Sequence, residues 1–239
     1  MEDFKLQSLS FFSRKNLVRE FAFKLLGFTR IKEIISYILR LSLKFPPYGN
    51  TLQRQILRGL DLIRNQSIAL AINRIKLEGI PGAFAEAGVF RGEMSKIIHL
   101  IAPERILYLF DTFEGFPEHS MKQHDPRYNS TSLEIVYQTI GDNKNIAIRK
   151  GIIPETFKGL ENEKFAFVMI DLDLFEPTSA SLDFFYPRMN KGGYIFIHDY
   201  NNREWPGVAK AVNNFVKNTI NCQIIELADA MGSVVLRKN

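Results

Sequence analysis

Twelve residues constrain this chain more than any others: Phe84-Ala-Glu-Ala-Gly-Val-Phe-Arg-Gly-Glu-Met-Ser95. Up to Val89 they are small or apolar apart from Glu86, as a buried strand requires. Gly88 and Gly92 bracket a tight turn, and Met94, Ile97, Ile98 and Ile101 then recur at helical spacing. A strand that turns through glycines into a helix N-terminus gathers backbone N–H groups and a positive dipole end at one point. At the carboxyl edge of a parallel sheet, such a point receives a nucleotide-like ligand.

The spacing argues for one class of ligand. A dinucleotide fingerprint needs G-x-G-x-x-G, whereas these glycines stand four apart and an acid, Glu86, sits in the strand end. A pyrophosphate is repelled by that carboxylate, while an ammonium or a sulfonium is attracted. The next apolar run, Arg105 to Asp111, ends in an acid about 20 residues further on, where a ribose diol is held in such folds. Glycine turn, early acid and ribose acid together favour S-adenosylmethionine over a nicotinamide dinucleotide.

The rest of the chain alternates strand and helix. A helical pattern from Thr51 to about Glu78 precedes the first strand. After Asp111 come a polar loop to Asn129 that reads as a lid, a helix starting at Ser130 or Thr131, and a third strand, Ile146 to Gly151. The turn from Gly151 to Thr156 would border an adenine. Phe165 to Ile170 is a continuous apolar run, the mark of a central parallel strand. A helix over 178–189, a Lys191-Gly192-Gly193 turn, a strand over 194–197, a helix from Pro206 and two short closing strands complete the pattern. This is an α/β chain with a doubly wound, mostly parallel sheet of seven strands.

Charge divides the chain in two. The net charge is +5, and residues 1–45 carry all of it, with nine Lys/Arg against four acids. Residues 1–50 therefore read as a basic, amphipathic helical arm with a Pro-Pro-Tyr-Gly hinge, and residues 51–239 as a neutral domain. The arm supports two readings: a helix pair packed on the domain or on a second subunit, which implies a homo-oligomer, or a helix on a membrane surface. No zinc-finger spacing or RNA-recognition motif accompanies the charge, so no nucleic-acid partner is expected. The single Cys222 excludes an internal disulfide and cysteine-based zinc sites. No run reaches the length of a membrane span, and no signal peptide is evident, so a cytoplasmic location is expected.

Two strand ends concentrate polar chemistry. Asp171 follows the fourth strand and His198-Asp199 the fifth, which should be its neighbour. Two acids and an imidazole at one mouth suit a divalent cation, or removal of a proton from a hydroxyl nucleophile. Alternatively, Asp171 and Asp199 cap the following helices. Asp173, two residues on, should point away if the strand persists.

The motifs Glu86-Ala-Gly-Val-Phe-Arg-Gly92, Leu109-Phe-Asp-Thr-Phe-Glu-Gly-Phe-Pro117, Ile170-Asp-Leu-Asp-Leu-Phe-Glu-Pro-Thr178, Tyr186 to Gly193 and His198-Asp-Tyr200, in this order, resemble the macrocin O-methyltransferase family from about Thr51 to Phe215. The resemblance implies a class I, Rossmann-like fold that uses S-adenosylmethionine to methylate a hydroxyl of a sugar or glycosylated small molecule. It implies that Glu86 and Gly88 line the methionine end of the cofactor and Asp111 its ribose, with Phe90, Arg91, Ser95, Thr112 and Gly151 as further cofactor contacts. It implies that Asp171 is a metal ligand, for Mg2+, and the base. The family's macrolide and aminocoumarin enzymes carry two adjacent acids where this chain has His198-Asp199. A hard cation prefers oxygen to imidazole, so two arrangements stay open. Asp171, His198 and Asp199 hold a cation together, or the site is metal-free and His198 is the base, near its own working pH. The alternatives in other classes are a nicotinamide-dependent oxidoreductase and a membrane-docked, non-catalytic binding protein.

Overall fold

The structure is a computed structural model, and it describes residues 56, 61–116, 130–141, 144–220 and 222–239. The basic arm and hinge, with the membrane and second-subunit readings that rest on them, lie outside the described residues, as does nearly all of the expected lid loop.

Seven strands form one sheet in the order β3-β2-β1-β4-β5-β7-β6. They are β1 Ala83–Ala87, β2 Leu107–Asp111, β3 Ile146–Lys150, β4 Phe165–Ile170, β5 Met189–Ile197, β6 Ile224–Glu226 and β7 Val234–Arg237. The first five run parallel, and β7 pairs antiparallel with both β5 and β6. Helices α1 Leu62–Leu77, α2 Glu93–Ile101 and α3 Leu133–Ile140 precede β1, β2 and β3, while α4 Phe175–Phe185 and α5 Pro206–Asn218 follow β4 and β5.

Side-chain alternation along the strands assigns the two layers. Phe84, Leu107, Leu109, Phe167 and Met169 pack with Ile68, Ile72, Ile97 and Ile98 on one face. Ala85, Ala87, Phe110, Val168 and Ile170 pack with Leu182, Phe185, Val208 and Val212 on the other. Successive strand residues point to opposite faces, so Glu86 shares the face of Phe84, beneath α1 and α2. Every residue of β1 and β4 is buried, as expected for strands covered on both sides. The chain winds outward in both directions from β1 and β4, and ligands bind beyond the carboxyl ends of strands at such a reversal.

Three local expectations are corrected. Helix α3 starts later than Ser130 or Thr131: Ser132 is its cap, accepting from the Ile135 N–H at 3.3 Å. Helix α4 starts at Phe175 rather than Thr178, because Pro177 sits in its first turn, where a missing N–H costs nothing. Lys191-Gly192-Gly193 lies inside β5 instead of forming a turn. An added Cβ at Gly193 would lie 2.7 Å from the Ala166 carbonyl, so this glycine permits close strand approach.

Candidate active site

The glycine turn is laced to the neighbouring strand ends by its own backbone. The Gly88 N–H donates to the Phe110 carbonyl at 2.8 Å, and the Asp171 N–H donates to the Ala87 carbonyl at 2.8 Å. Val89 and Phe90 donate to Asp111 Oδ2 at 2.7 and 3.0 Å, and Phe113 donates to Asp111 Oδ1 at 2.7 Å. The turn's N–H groups at 88–90 are therefore occupied by protein acceptors, which corrects the expectation that they face a ligand. Asp111 Oδ2 secures the turn, while Oδ1 accepts from the Phe113 N–H and lies 3.4 Å from the Thr112 hydroxyl.

A cavity of about 700 Å3 opens at this point and extends across the ends of β1, β2, β4 and β5. Glu86, Gly88, Phe90, Arg91, Asp111, Thr112, Gly151, Asp171, His198 and Asp199 all border it. Their functional groups differ in availability. The Thr112 hydroxyl donates to the Gly115 carbonyl at 2.5 Å, and Arg91 Nε donates to the Ser130 carbonyl at 2.8 Å. Ser95 is a correction. It is fully buried in α2 and donates its hydroxyl to Glu86 Oε2, so it acts on Glu86 and is not itself a cavity wall.

Burial dominates the electrostatics of Glu86. The side chain is 2% exposed, and its pKa is pushed up to about 8. Desolvation drives this shift. The Ser95 hydroxyl and Arg64 oppose it, and the charges of Asp171 and Asp111 add to it. Near neutral pH the empty site thus holds Glu86 mostly protonated, and a bound cation draws the proton off. An acid whose pKa lies above its unfolded value favours folding at low pH, and that stability is lost as pH rises from about 4.5 to about 8. Binding of an ammonium ligand runs the other way. Affinity for S-adenosylhomocysteine should fall by up to about tenfold per pH unit below pH 8, roughly 100-fold by pH 6, with proton release on binding. Calorimetry at several pH values, in buffers of different ionisation enthalpy, measures both; a flat affinity from pH 6 to 8 would remove Glu86 from ammonium recognition.

The polar cluster assembles at the ends of β4 and β5. His198 Nδ1 lies 3.0 Å from Asp171 Oδ1 and 3.0 Å from Asp199 Oδ2. Asn202 Nδ2 donates to Asp199 Oδ1 at 2.8 Å. Asp171 is the most exposed of the three, its side chain 31% accessible against 11% for His198 and 6% for Asp199. Burial works against a charged imidazole, yet Asp171 and Asp199 carry the His198 pKa up to about 10. Without a cation in the cluster, that shift takes His198 away from the near-neutral value a general base needs.

The donor atoms of Asp171, His198 and Asp199 lie within 4.8 Å of one another. Neighbouring ligands on an octahedral ion with bonds of about 2.1 Å stand roughly 3.0 Å apart. The two His198 pairs match that spacing, so these three residues could hold a divalent cation, which would displace the proton from His198. The mixed oxygen and nitrogen donor set is less selective for Mg2+ than carboxylates alone.

Two residues join the site against expectation. Asp173 borders the cavity because the chain leaves the strand: its φ of +63° turns it back toward Asp199. Burial, Asp171 and the hydrogen bond to Asp199 push its pKa up to about 9. The period-two extrapolation failed at this left-handed residue, a conformation that Asp tolerates better than most. Arg64, in the first turn of α1, places Nη1 3.6 Å from Asp171 Oδ2. Trp205 and Met231 also form walls, from loops without a motif.

The macrocin-O-methyltransferase (TylF) family profile matches residues 61–238. The 8-demethyl-8-(2,3-dimethoxy-alpha-L-rhamnosyl)-tetracenomycin-C 4'-O-methyltransferase of Streptomyces olivaceus is 26% identical over 162 residues, 59% of this chain and 61% of that protein. The mycinamicin III 3''-O-methyltransferase of Micromonospora griseorubida is 26% identical over 144 residues, 52% of this chain and 57% of that protein. The chain thus spans about three-fifths of the length of the curated relatives it matches. Among solved structures, the O-methyltransferase NovP superposes with a TM-score of 0.64 at 22% identity, covering 74% of this chain and 80% of NovP. CalS11, a calicheamicin methyltransferase, superposes with a TM-score of 0.59 at 19% identity, covering 99% and 97%. At these identities the likeness is one of fold, the Rossmann-like class I methyltransferase fold. With the family profile spanning most of its length, this chain belongs to the macrocin-O-methyltransferase family.

Proposed function

We propose that this chain transfers the methyl group of S-adenosylmethionine to a hydroxyl of a sugar or glycosylated small molecule. One observation carries the reading: Glu86, Asp111 and Asp171, from three strand ends, border a single cavity at the point where the sheet reverses. Family membership supports it. The nicotinamide alternative loses ground, because a pyrophosphate needs backbone N–H donors at the turn and Asp111 occupies those of Val89 and Phe90.

S-adenosylmethionine supplies a methyl group already activated on a sulfonium, so the protein's part is alignment, charge and one proton. Glu86 receives the ammonium of the methionine end. Asp111 would receive a ribose hydroxyl, and the turn beginning at Gly151 would border the adenine. The acceptor would lie against the wall formed by Leu174, Trp205 and Met231, with its hydroxyl toward Asp171. Alignment of this kind removes much of the entropic barrier. Asp171 would take the hydroxyl proton as the methyl group's bond to sulfur breaks, its bond to the acceptor oxygen forms and the thioether leaves. His198 holds Asp171 by Oδ1, Oδ2 sits between Arg64 Nη1 and the cavity, and Asp199 with Asn202 holds His198. A divalent cation held by Asp171, His198 and Asp199 would lower the acceptor's pKa.

The test is calorimetric binding of S-adenosylhomocysteine, followed by transfer of a labelled methyl group from S-adenosylmethionine to a panel of glycosides. Saturable binding and label in a glycoside are the expected results. No binding at millimolar ligand would end the proposal.

A further inference from the structure

The donor's amino-acid end is a zwitterion, and Glu86 accounts for only its positive half. We propose that Arg64 is the partner for the negative half: Glu86 takes the α-ammonium and the Arg64 guanidinium takes the α-carboxylate, as one clasp across the mouth of β1. This rests on the methyl-donor reading above.

Charge and hydrogen-bond occupancy point to Arg64. A carboxylate in a cleft needs N–H donors or a cation. The turn cannot supply the donors at Gly88, Val89 and Phe90, since those N–H groups go to Phe110 and Asp111. Among the described residues bordering the cavity, the cationic side chains are Arg64, Arg91 and His198. Arg91 gives Nε to the Ser130 carbonyl at the exposed rim, 5.6 Å from the Phe90 ring centre. His198 directs Nδ1 at Asp171 and Asp199.

Arg64 has donors to offer. Its Nε is buried and meets no hydrogen-bond acceptor among the described residues. The nearest carboxylate on that side, Asp61 Oδ2, is 3.7 Å away, beyond hydrogen-bond length. A buried guanidinium N–H without a partner is costly, and a ligand carboxylate removes that cost. The first turn of α1 holds the side chain in position, because Asp61 Oδ1 accepts the Arg64 backbone N–H at 3.0 Å. Nη1 lies 3.6 Å from Asp171 Oδ2, and Arg64 borders the same cavity as Glu86. Arg64 is also among the charges that Glu86 senses.

The experiment compares two probes by calorimetry on the full chain: S-adenosylhomocysteine, and its decarboxylated analogue S-adenosyl-3-thiopropylamine, which keeps the amine. The unsubstituted protein should bind the first about 30-fold more tightly, the scale of a charged hydrogen bond pair. Arg64→Met should erase that preference, weakening S-adenosylhomocysteine about 30-fold and the amine by less than about threefold, with Arg64→Lys intermediate. Equal affinity of the unsubstituted protein for both probes overturns the clasp even if Arg64→Met does not fold. Equal weakening of both probes by Arg64→Met also overturns it, since Arg64 would then act only through Asp171. Failure of the unsubstituted protein to bind either probe would instead strike the methyl-donor reading.

Discussion

Gly88→Ala should destabilise the protein by about 3 kcal/mol or more and abolish binding of S-adenosylhomocysteine. Gly88 has φ +88°, a left-handed conformation, and an added Cβ would lie 1.8 Å from the backbone carbonyl oxygen of Asp171. No side chain can swing aside to relieve that contact, because the obstructing atom is main chain. The strand ends must separate, which breaks the Asp171 N–H bond to Ala87 and moves Asp171 away from Glu86 and Asp111. For a domain of this size the loss corresponds to a fall in Tm of about 10 °C. Gly79→Ala is the control. Its φ is also positive, at +62°, but its Cβ would meet nothing within 4 Å, so about 1 kcal/mol of conformational cost is all that is expected. Thermal melts of the two variants decide the matter; similar melts would mean that β1 and β4 do not approach so closely.

Asp171→Asn should lower kcat about 1,000-fold while leaving S-adenosylhomocysteine affinity within a few-fold of the original. Asparagine keeps the shape, and its amide oxygen can still meet His198, but it cannot take a proton. Asp171 is more exposed than His198 or Asp199, so of these three it is the one best placed to meet the acceptor hydroxyl. Cofactor binding should survive because the Asp171 charge raises the Glu86 pKa; removing it eases ionisation of Glu86 and offsets what is lost elsewhere. Single-turnover methyl transfer and calorimetry separate the two effects. Retained turnover would exclude Asp171 as the base, and parallel loss of binding would give it a structural role.

Much of the architecture was legible because it is local. The glycine turn after a buried strand carrying Glu86 was readable from residue types, and the apolar run over 165–170 marked a central strand. Acids at the ends of β1, β2 and β4, with the His198-Asp199 pair after β5, are sequence patterns that parallel order converts into one cavity. The misreadings share a different origin. Asp173 depends on a single left-handed residue, which ends the alternation that a pattern extends. Ser95 depends on how close α2 lies over β1, and Arg64 on where the capped turn of α1 points.

The chain order alone determined the sheet, the glycine turn and the residue types at each strand end, because these follow from periodicity and from the residues that turns require. Tertiary structure alone decided what those residues have available. It bound Asp111 to the turn, brought His198 between two carboxylates, buried Glu86 until its proton stayed on, and left Arg64 Nε without a hydrogen-bond acceptor among the described residues. Hydrogen-bond occupancy and desolvation are sums over neighbours distant in sequence, and no local pattern contains them.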